Sequence, residues 1–424
     1  MRIAFFVNAF PVMSEAFIAS SAVALQRAGH EVDIFGIGNA HPSLRVPDVV
    51  TSNNLMARAK NATWPKSFSR RLMDVPRLSL STIRKHGAAR TPLLRPMTYR
   101  RSWRDLTALY QAEILPENGH YDILHCQFAT LAEFVLKHRD AGLLSGRLLV
   151  HLRGYDITEV VQAHGPNVYD RAWAEADHFI ANCAYFREQA IEIGCPENRI
   201  EVIGSGIRLS DFVYQPPRPI KNKVLRVVSI GRLIERKGFH HALQTIKALK
   251  DEGYSVRYDI VGDGDERKRL EGRCAELGLT GDVIFHGARP HEEITPLLEG
   301  AHMLFAPCMT SASGGIDGPV NVIKEAMASG VLVVSTHHGG IPELVEDGVT
   351  GVLARENDGE DLTRATFRLL ALEPRWPTIA ECARQRVTAI YDINCVTRQL
   401  LSTYARLTDA VDAPVRETAS QWRK

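Results

Sequence analysis

Nowhere in these 424 residues does an apolar run reach the roughly 18 positions that a membrane-crossing helix needs. The opening MRIAFFVNAFPVMSEAF carries one arginine and a short apolar run, with no small-residue cleavage site. It reads as a first buried strand and not as a secretory leader. Cysteine is sparse: seven residues (126, 183, 195, 274, 308, 382 and 395) never stand as Cys-x-x-Cys. That spacing argues against a zinc ribbon, and the odd count against a disulfide framework, so a reducing, cytoplasmic setting is expected. The dinucleotide fingerprint is missing too. Gly36 and Gly38 give a Gly-x-Gly, but Pro42 follows and no helix opens there, which removes a nicotinamide-dependent oxidoreductase. The pairs His240–His241 and His337–His338 lack metal-ligand spacing, and neither a metal site nor a cofactor is expected.

Acid is what residues 55–104 lack. They hold thirteen lysines and arginines against Asp74 alone, although the net charge of the whole chain is only +2. The segment is interleaved with Trp64, Phe68, Leu72, Leu93, Leu94 and Trp103. It reads either as a solvated basic insertion or as a face for an anionic membrane. Nucleic acid is not expected as a partner, because no binding motif accompanies the charge.

What the chain has in plenty is alternation. Short apolar strands at 3–9, 31–37, 121–127, 147–153, 178–183 and 200–206 are mostly separated by helical stretches. After the proline-rich YQPPRPIKNK the pattern restarts at 225–231, 256–262, 282–287, 303–307, 331–335 and 351–354. Near-continuous apolar strands between helices predict parallel sheets covered on both faces. The fold class is therefore α/β: two Rossmann-like, doubly wound parallel-sheet domains facing a central cleft. Boundaries are placed at 1–213, a linker at 214–223, a second domain at 224–395 and a final helix and tail at 396–424. Helices at 376–390 and 394–409 have no strand left to serve and could pack back across the linker.

Four loops of the second half follow strand ends, where ligands of open parallel sheets sit. GRLIERKG places Arg232 and Lys237 five apart between glycines, a pair suited to a diphosphate or simply to solvent. SASGGIDGPVNVIKEAMASG reads as a glycine-lined entrance to a helix, with Pro319 in its first turn and Gly330 at its end. Such a mouth offers backbone N–H groups to an anion. Asp317 is either the cap of that helix or a ligand for a sugar. Glu325, eight residues on, is either solvated or, one turn past Asn321, an acceptor for ribose hydroxyls.

VVSIGRLIERKGFHHAL, YDIVGDGDERKRLE, VIFHGARPHEEI and DGPVNVIKEAMASGVLVVSTHHGGIPELVEDGVTGVL resemble, in order and spacing, the retaining glycosyltransferases of family 4. The resemblance implies the GT-B fold. It extends more weakly to FPVMSEAFI, DILHCQFAT, HLRGYDIT and VIGSGIRLSDF, pieces most similar to the branch that builds bacterial exopolysaccharides, including colanic-acid-type transferases. It implies that Arg232 and Lys237 hold the donor diphosphate, Glu325 the nucleotide ribose and Asp317 the transferred sugar. Gly231, Gly262, Gly287, Arg289, Gly314, Gly315, Ile316, Gly318, Asn321 and Val322 would complete the donor site. Ser14, Glu15, His125, Arg153 and Asp156 would line the acceptor side, with residues 14 and 15 also readable as a helix start. Two departures stand out. Asp317 replaces the family's usual Glu, and Arg153 replaces a common His, so Arg153 is read as a ligand for an anionic acceptor or the diphosphate. His151 is placed on the opposite face of its strand.

The expected activity is transfer of a sugar, with retention, from a nucleotide diphosphate sugar to a glycan or lipid-linked acceptor, in the cytoplasm or at the inner membrane face. The rival is a catalytically silent nucleotide-sugar-binding subunit of a polysaccharide assembly complex.

Overall fold

The computed structural model describes residues 1–12, 15–38, 46 and 48–409, apart from the side chains at 291 and 292. Its first sheet is built from β1 (Arg2–Val7), β2 (Glu31–Gly36), β3 (Ala59–Asn61), β4 (His120–Cys126), β5 (Ser145–Leu152), β6 (His178–Ala181) and β7 (Ile200–Val202). The order is β3-β2-β1-β4-β5-β6-β7, and every pairing is parallel. The second sheet uses β8 (Val224–Ile230), β9 (Ser255–Val261), β10 (Val283–Gly287), β11 (Met303–Ala306), β12 (Leu332–Thr336) and β13 (Val352–Ala354), in the order β10-β9-β8-β11-β12-β13. Strand order therefore reverses between β1 and β4, and again between β8 and β11.

The apolar runs explain both sheets. In β1, Ala4 and Phe6 join Leu124, Leu148 and Val150 in one core, while Ile3, Phe5 and Val7 join Ile34, Ile123 and Leu149 in another. A strand buried on both faces needs no polar alternation, and it has none.

One strand escaped the apolar pattern. Ala59–Asn61, within the segment read as an insertion, extends the first sheet at its edge, pairing with Ile34, Phe35 and Gly36. The Asn61 amide holds it there: Nδ2 donates to Phe10 O at 2.6 Å, and Oδ1 accepts from Phe10 N at 2.9 Å. The helix Phe68–His86 follows, burying Leu78, Thr82 and His86. It is tied to the helix Thr107–Ile114 by Ser81 Oγ, which donates to Glu113 Oε1 at 2.9 Å.

The last helices divide between the domains. Trp376–Tyr391 buries Trp376, Ile379 and Val387 in the second domain. The chain then crosses at Asp392, and Ile393–Asp409 buries Val396, Leu400 and Tyr404 in the first domain, against the helix Ala16–Arg27 and β4. The crossing is stitched by Ile207, whose N–H donates to Tyr391 O at 2.8 Å while its carbonyl accepts from Ile393 N at 2.9 Å. Backbone approaches so closely here that a Cβ on Gly206 would lie 2.9 Å from Ile393 Cα. Among the described residues no helix is long and apolar enough to cross a membrane.

Leu400, 4% exposed, tests that docking. Leu400→Ala is expected to destabilise by about 2–4 kcal/mol, seen as a lower urea midpoint. An unchanged midpoint would mean that the helix is not packed on the first domain.

Candidate active site

Where strand order reverses, neighbouring loops diverge and leave a crevice outside the carboxyl ends. The loops after β8 and β11 flank that crevice in the second domain. After β8 the chain makes a short turn, Glu235–Lys237, closed by Gly238 at φ +62°. A Cβ there would stand 1.9 Å from Pro307 O, so this position excludes every other residue. The turn aims Lys237 at the loop after β11, where Nζ donates to Asp317 Oδ2 at 2.9 Å.

Arg236 continues the network. Its Nε lies 3.4 Å from Asp317 Oδ1, and its Nη1 donates to Glu159 Oε1 at 2.5 Å. Glu159 begins the helix Glu159–His164 of the first domain, so the ion pairs span the cleft. Burial alone would raise the Asp317 pKa, but Lys237 and Arg236 outweigh it and hold the carboxyl below its ordinary range. Burial likewise works against the Lys237 ammonium, and Asp317 outweighs that, leaving its pKa raised. Both partners are therefore ionised at neutral pH.

The helix opens at Asn321, with Val320 as N-cap and no side-chain cap bond. Pro319 thus precedes the helix, and Asp317 is not its cap. The carboxylate faces Lys237 and Arg236 instead, while Asp317 N donates to His338 Nε2 at 2.9 Å. With that nitrogen accepting, the ring proton sits on Nδ1 and donates to Glu356 Oε2 at 2.5 Å. The entrance glycines are less available than expected. Gly314 N donates to Ser311 O at 2.8 Å, and Gly315 N to Ser311 Oγ at 2.9 Å. Those two N–H groups cannot cradle an anion in this conformation. Gly318 lies against Phe186 and Asn182 of the first domain, Ile316 packs on the first domain's core, and Val322 turns into the second domain's core.

Lys324 is the surprise of that helix. A lysine beside a glutamate at helical spacing looks solvated, yet this one is 1% exposed. Its Nζ donates to Ser205 O of the first domain at 2.8 Å and to Asn321 Oδ1 at 3.1 Å, and lies 4.5 Å from the Tyr391 ring centroid. Burial lowers its pKa from 10.5 to about 7, Arg153 adds to the fall and Glu325 opposes it. Glu325 itself is half-buried, one position on.

The other donor-side positions form a backbone layer. Gly231 N donates to Val261 O, and Gly262 N to Gly287 O, each at 2.9 Å. Arg289 bonds its neighbours, with Nε to His286 O and Nη1 to Glu293 Oε2, both at 2.9 Å. Arg232 is exposed at the mouth. Burial raises the pKa of the Glu15 carboxyl in the first domain, and Arg153 and then Arg232 pull against that rise. Glu15 is the N-cap residue of the helix Ala16–Arg27 and makes no side-chain cap bond. Ser14 lies outside the described residues. An Asp-x-Asp spacing, not expected from the sequence, does occur at Asp263 and Asp265. Asp263 Oδ1 accepts from Gly264 N at 2.8 Å, and Oδ2 lies 3.5 Å from Arg267. Among the described residues no three His, Cys, Asp or Glu side chains gather as a metal-binding group.

The first-domain readings need correction. Arg153 is not free for an acceptor anion. Its Nε donates to Gln127 O at 3.0 Å, Nη1 to Ser205 Oγ at 2.8 Å and Nη2 to Gln127 Oε1 at 2.8 Å, with Phe17 stacked beneath. His151 lies on the same side as Arg153, not the opposite one, with Nδ1 3.1 Å from Arg153 Nη2. Residues two apart on a strand share a face. His125 is buried, stacked on His151 and bonded through Nδ1 to Tyr404 OH at 2.7 Å. Burial, reinforced by Arg153, pushes the pKa of both imidazoles well down, so they are neutral. Asp156 is buried as well, its carboxylate accepting from Ala129 N and Arg153 N at 2.8 and 2.9 Å. His125, His151 and Asp156 are thus buried, whereas Arg153 is half-buried. An open cavity of about 260 Å³ lies beyond β1, β2 and β4, bounded by Asn8, Ile37, Gly38, Gln111, Thr130 and Lys137.

Arg236, Glu159 and Lys324 were not singled out from the sequence, and neither was Glu343. Its two carboxylate oxygens accept from Ala184 N and Tyr185 N, both at 2.8 Å, capping the first-domain helix Ala184–Glu192 from across the cleft.

Asp317→Ala is expected to destabilise by about 3 kcal/mol, because Lys237 is left half-buried without its partner. Adding Lys237→Met should recover most of that loss in urea unfolding, and strictly additive losses would show that the pair does not interact. For Lys324 the sign runs the other way from a paired lysine. Between pH 7 and its ordinary value, the unfolded chain binds this proton and the folded chain does not, so stability from this group rises with pH. Wild type should therefore gain stability relative to Lys324→Met between about pH 7 and about pH 9. A constant difference would contradict the buried, neutralised lysine.

Two family profiles cover most of the chain: residues 14–206 match the glycosyl transferase 4-like domain, and residues 213–386 match glycosyl transferases group 1. The amylovoran biosynthesis glycosyltransferase AmsK of Erwinia amylovora is 28% identical over 428 residues, covering 96% of this chain and 100% of that protein. The GDP-mannose-dependent alpha-(1-6)-phosphatidylinositol monomannoside mannosyltransferase of Mycolicibacterium smegmatis is 34% identical over 274 residues, 61% of this chain and 69% of that one. In fold, the chain is similar to Anabaena HepE, solved with UDP and glucose, with a TM-score of 0.68 at 19% identity, covering 96% and 100% of the two chains. Two parallel-sheet domains, these matched segments and these relatives agree: the chain belongs to the glycosyltransferases of the GT-B fold, with a group 1 domain following a 4-like domain.

Proposed function

We propose that this glycosyltransferase moves a sugar from a nucleoside diphosphate sugar to a glycan or lipid-linked acceptor in extracellular polysaccharide synthesis, with retained anomeric configuration. One observation carries the reading: Lys237 pairs with Asp317 at the crevice between the carboxyl ends of β8 and β11, on the same loop that carries Arg232. In this reading Arg232 and Lys237 take the diphosphate, Glu325 the ribose and Asp317 the sugar hydroxyls. The full-length likeness to AmsK supports the polysaccharide setting. HepE, solved with UDP and glucose, supports a nucleotide sugar as donor.

The chemistry asks for charge placement more than for a nucleophile. The bond from the anomeric carbon to the diphosphate breaks as the acceptor oxygen approaches the same face. The acceptor proton passes to the departing phosphate oxygen. Lys237 is already ionised and fixed by Asp317, so little reorganisation is needed when charge develops on the leaving group. Arg232 and Lys237 supply positive charge that a divalent ion would otherwise bring, and turnover is proposed to survive chelation.

Arg232→Ala and Glu325→Ala should each lower transfer at least tenfold, and about a hundredfold where a donor to the leaving group is lost. Glu325→Ala should also weaken free nucleoside diphosphate, since the ribose is common to both ligands. A folded double variant with wild-type turnover would remove the assignment. Tight nucleotide-sugar binding with no transfer to a cell lipid extract would restore the silent-subunit reading.

A further inference from the structure

The helix Phe68–His86 uses one face and leaves another bare. Inward, Leu78, Thr82 and His86 are buried. Outward, Phe68 is 50% exposed, Leu72 56%, Met73 72% and Leu80 67%, with Ile83 and Pro76 exposed between and beyond them. Positions 68, 72, 76, 80 and 83 fall on one stripe at the helical period. Arg70, Arg77 and Arg84 recur every seven residues, two turns apart, so they line one edge of that stripe. All three are exposed, and none forms an ion pair among the described residues. The helix's lone acid does not offset them: Asp74 Oδ2 accepts from Tyr110 OH at 2.5 Å, towards the protein.

We infer that this face docks the enzyme on an anionic lipid bilayer, with the helix lying in the plane of the interface. The chemistry selects a bilayer. Long unbranched or singly branched apolar side chains can enter the acyl boundary, while a row of arginines at their edge meets lipid phosphate. The charge complementarity is unusually one-sided, since residues 55–104 hold thirteen bases against one acid. The same segment exposes Leu94 at 64% and Met97 at 85%, extending the apolar surface. It also reaches the first-domain cavity: Ser102 belongs to its wall, and Gln111 of the helix packed beneath donates to Ile37 O at 3.3 Å. A docked enzyme would thus hold that cavity close to the membrane surface, where a lipid-linked acceptor resides. This last point rests on the acceptor proposed above, whereas the docking itself does not.

Flotation of the full chain with phosphatidylglycerol–phosphatidylcholine vesicles, against phosphatidylcholine alone, tests it. Wild type should float with the anionic vesicles, and binding should fall at least tenfold when salt is raised from low to near-molar concentration. Leu72→Gln/Met73→Gln/Leu80→Gln should cut binding at least tenfold, as should Arg70→Gln/Arg77→Gln/Arg84→Gln, both retaining the wild-type melting temperature. Wild type that stays unbound at low salt would overturn the inference, as would either variant floating like wild type. So would a concentration-dependent dimer lost in the glutamine variants without any vesicle binding, which would assign the face to a second copy of the chain.

Discussion

A half-buried carboxylate flanked by two cations holds the working parts of this enzyme in place. Asp317 bonds Lys237 from the loop after β8 and lies beside Arg236, which reaches across the cleft to Glu159. Such clusters add little net stability, because desolvation offsets most of the attraction, but breaking one partner costs about 3–5 kcal/mol. Their effect is therefore on geometry. The cations stay charged and aimed, and the two domains share one electrostatic unit.

Two further contacts act at the same interface. Glu343 caps a first-domain helix from the second domain, and Lys324 joins the helix carrying Glu325 to the Ser205 carbonyl. Ser205 in turn receives Arg153, whose guanidinium is anchored on Gln127. Ser205 stands two residues before Ile207, which bridges to Asp392 where the chain crosses back. Any change in the spacing of the domains must alter several charged contacts at once, which couples donor-side geometry to domain position.

Much of the architecture was legible because it is written in apolar runs. Ile3–Val7 and Val227–Val228 sit in strands buried on both faces, and each restart of the pattern marked a strand. Ala59–Asn61 was not legible: three residues without an apolar run are fixed by the Asn61 amide on Phe10, a contact 51 positions away in sequence. The site divides the same way. Lys237 and Asp317 stood out by type and by the glycines beside them. Their pairing, and the roles of Arg236 and Glu159, depend on which loops the topology brings together. Arg153 and Lys324 mislead for a shared reason, since a charged residue in sequence gives no sign that buried carbonyls will receive it. The misplacement of His151 was of another kind, an error in counting a period of two.

The central claim is that the donor binds where the loops after β8 and β11 meet. Hydrogen exchange of the intact protein, with and without UDP or GDP, measures this directly. The account predicts that an accepted nucleoside diphosphate slows exchange in 231–238 and 311–325 while leaving 68–86 unchanged. Protection that falls elsewhere, with those two loops unaffected, would contradict it.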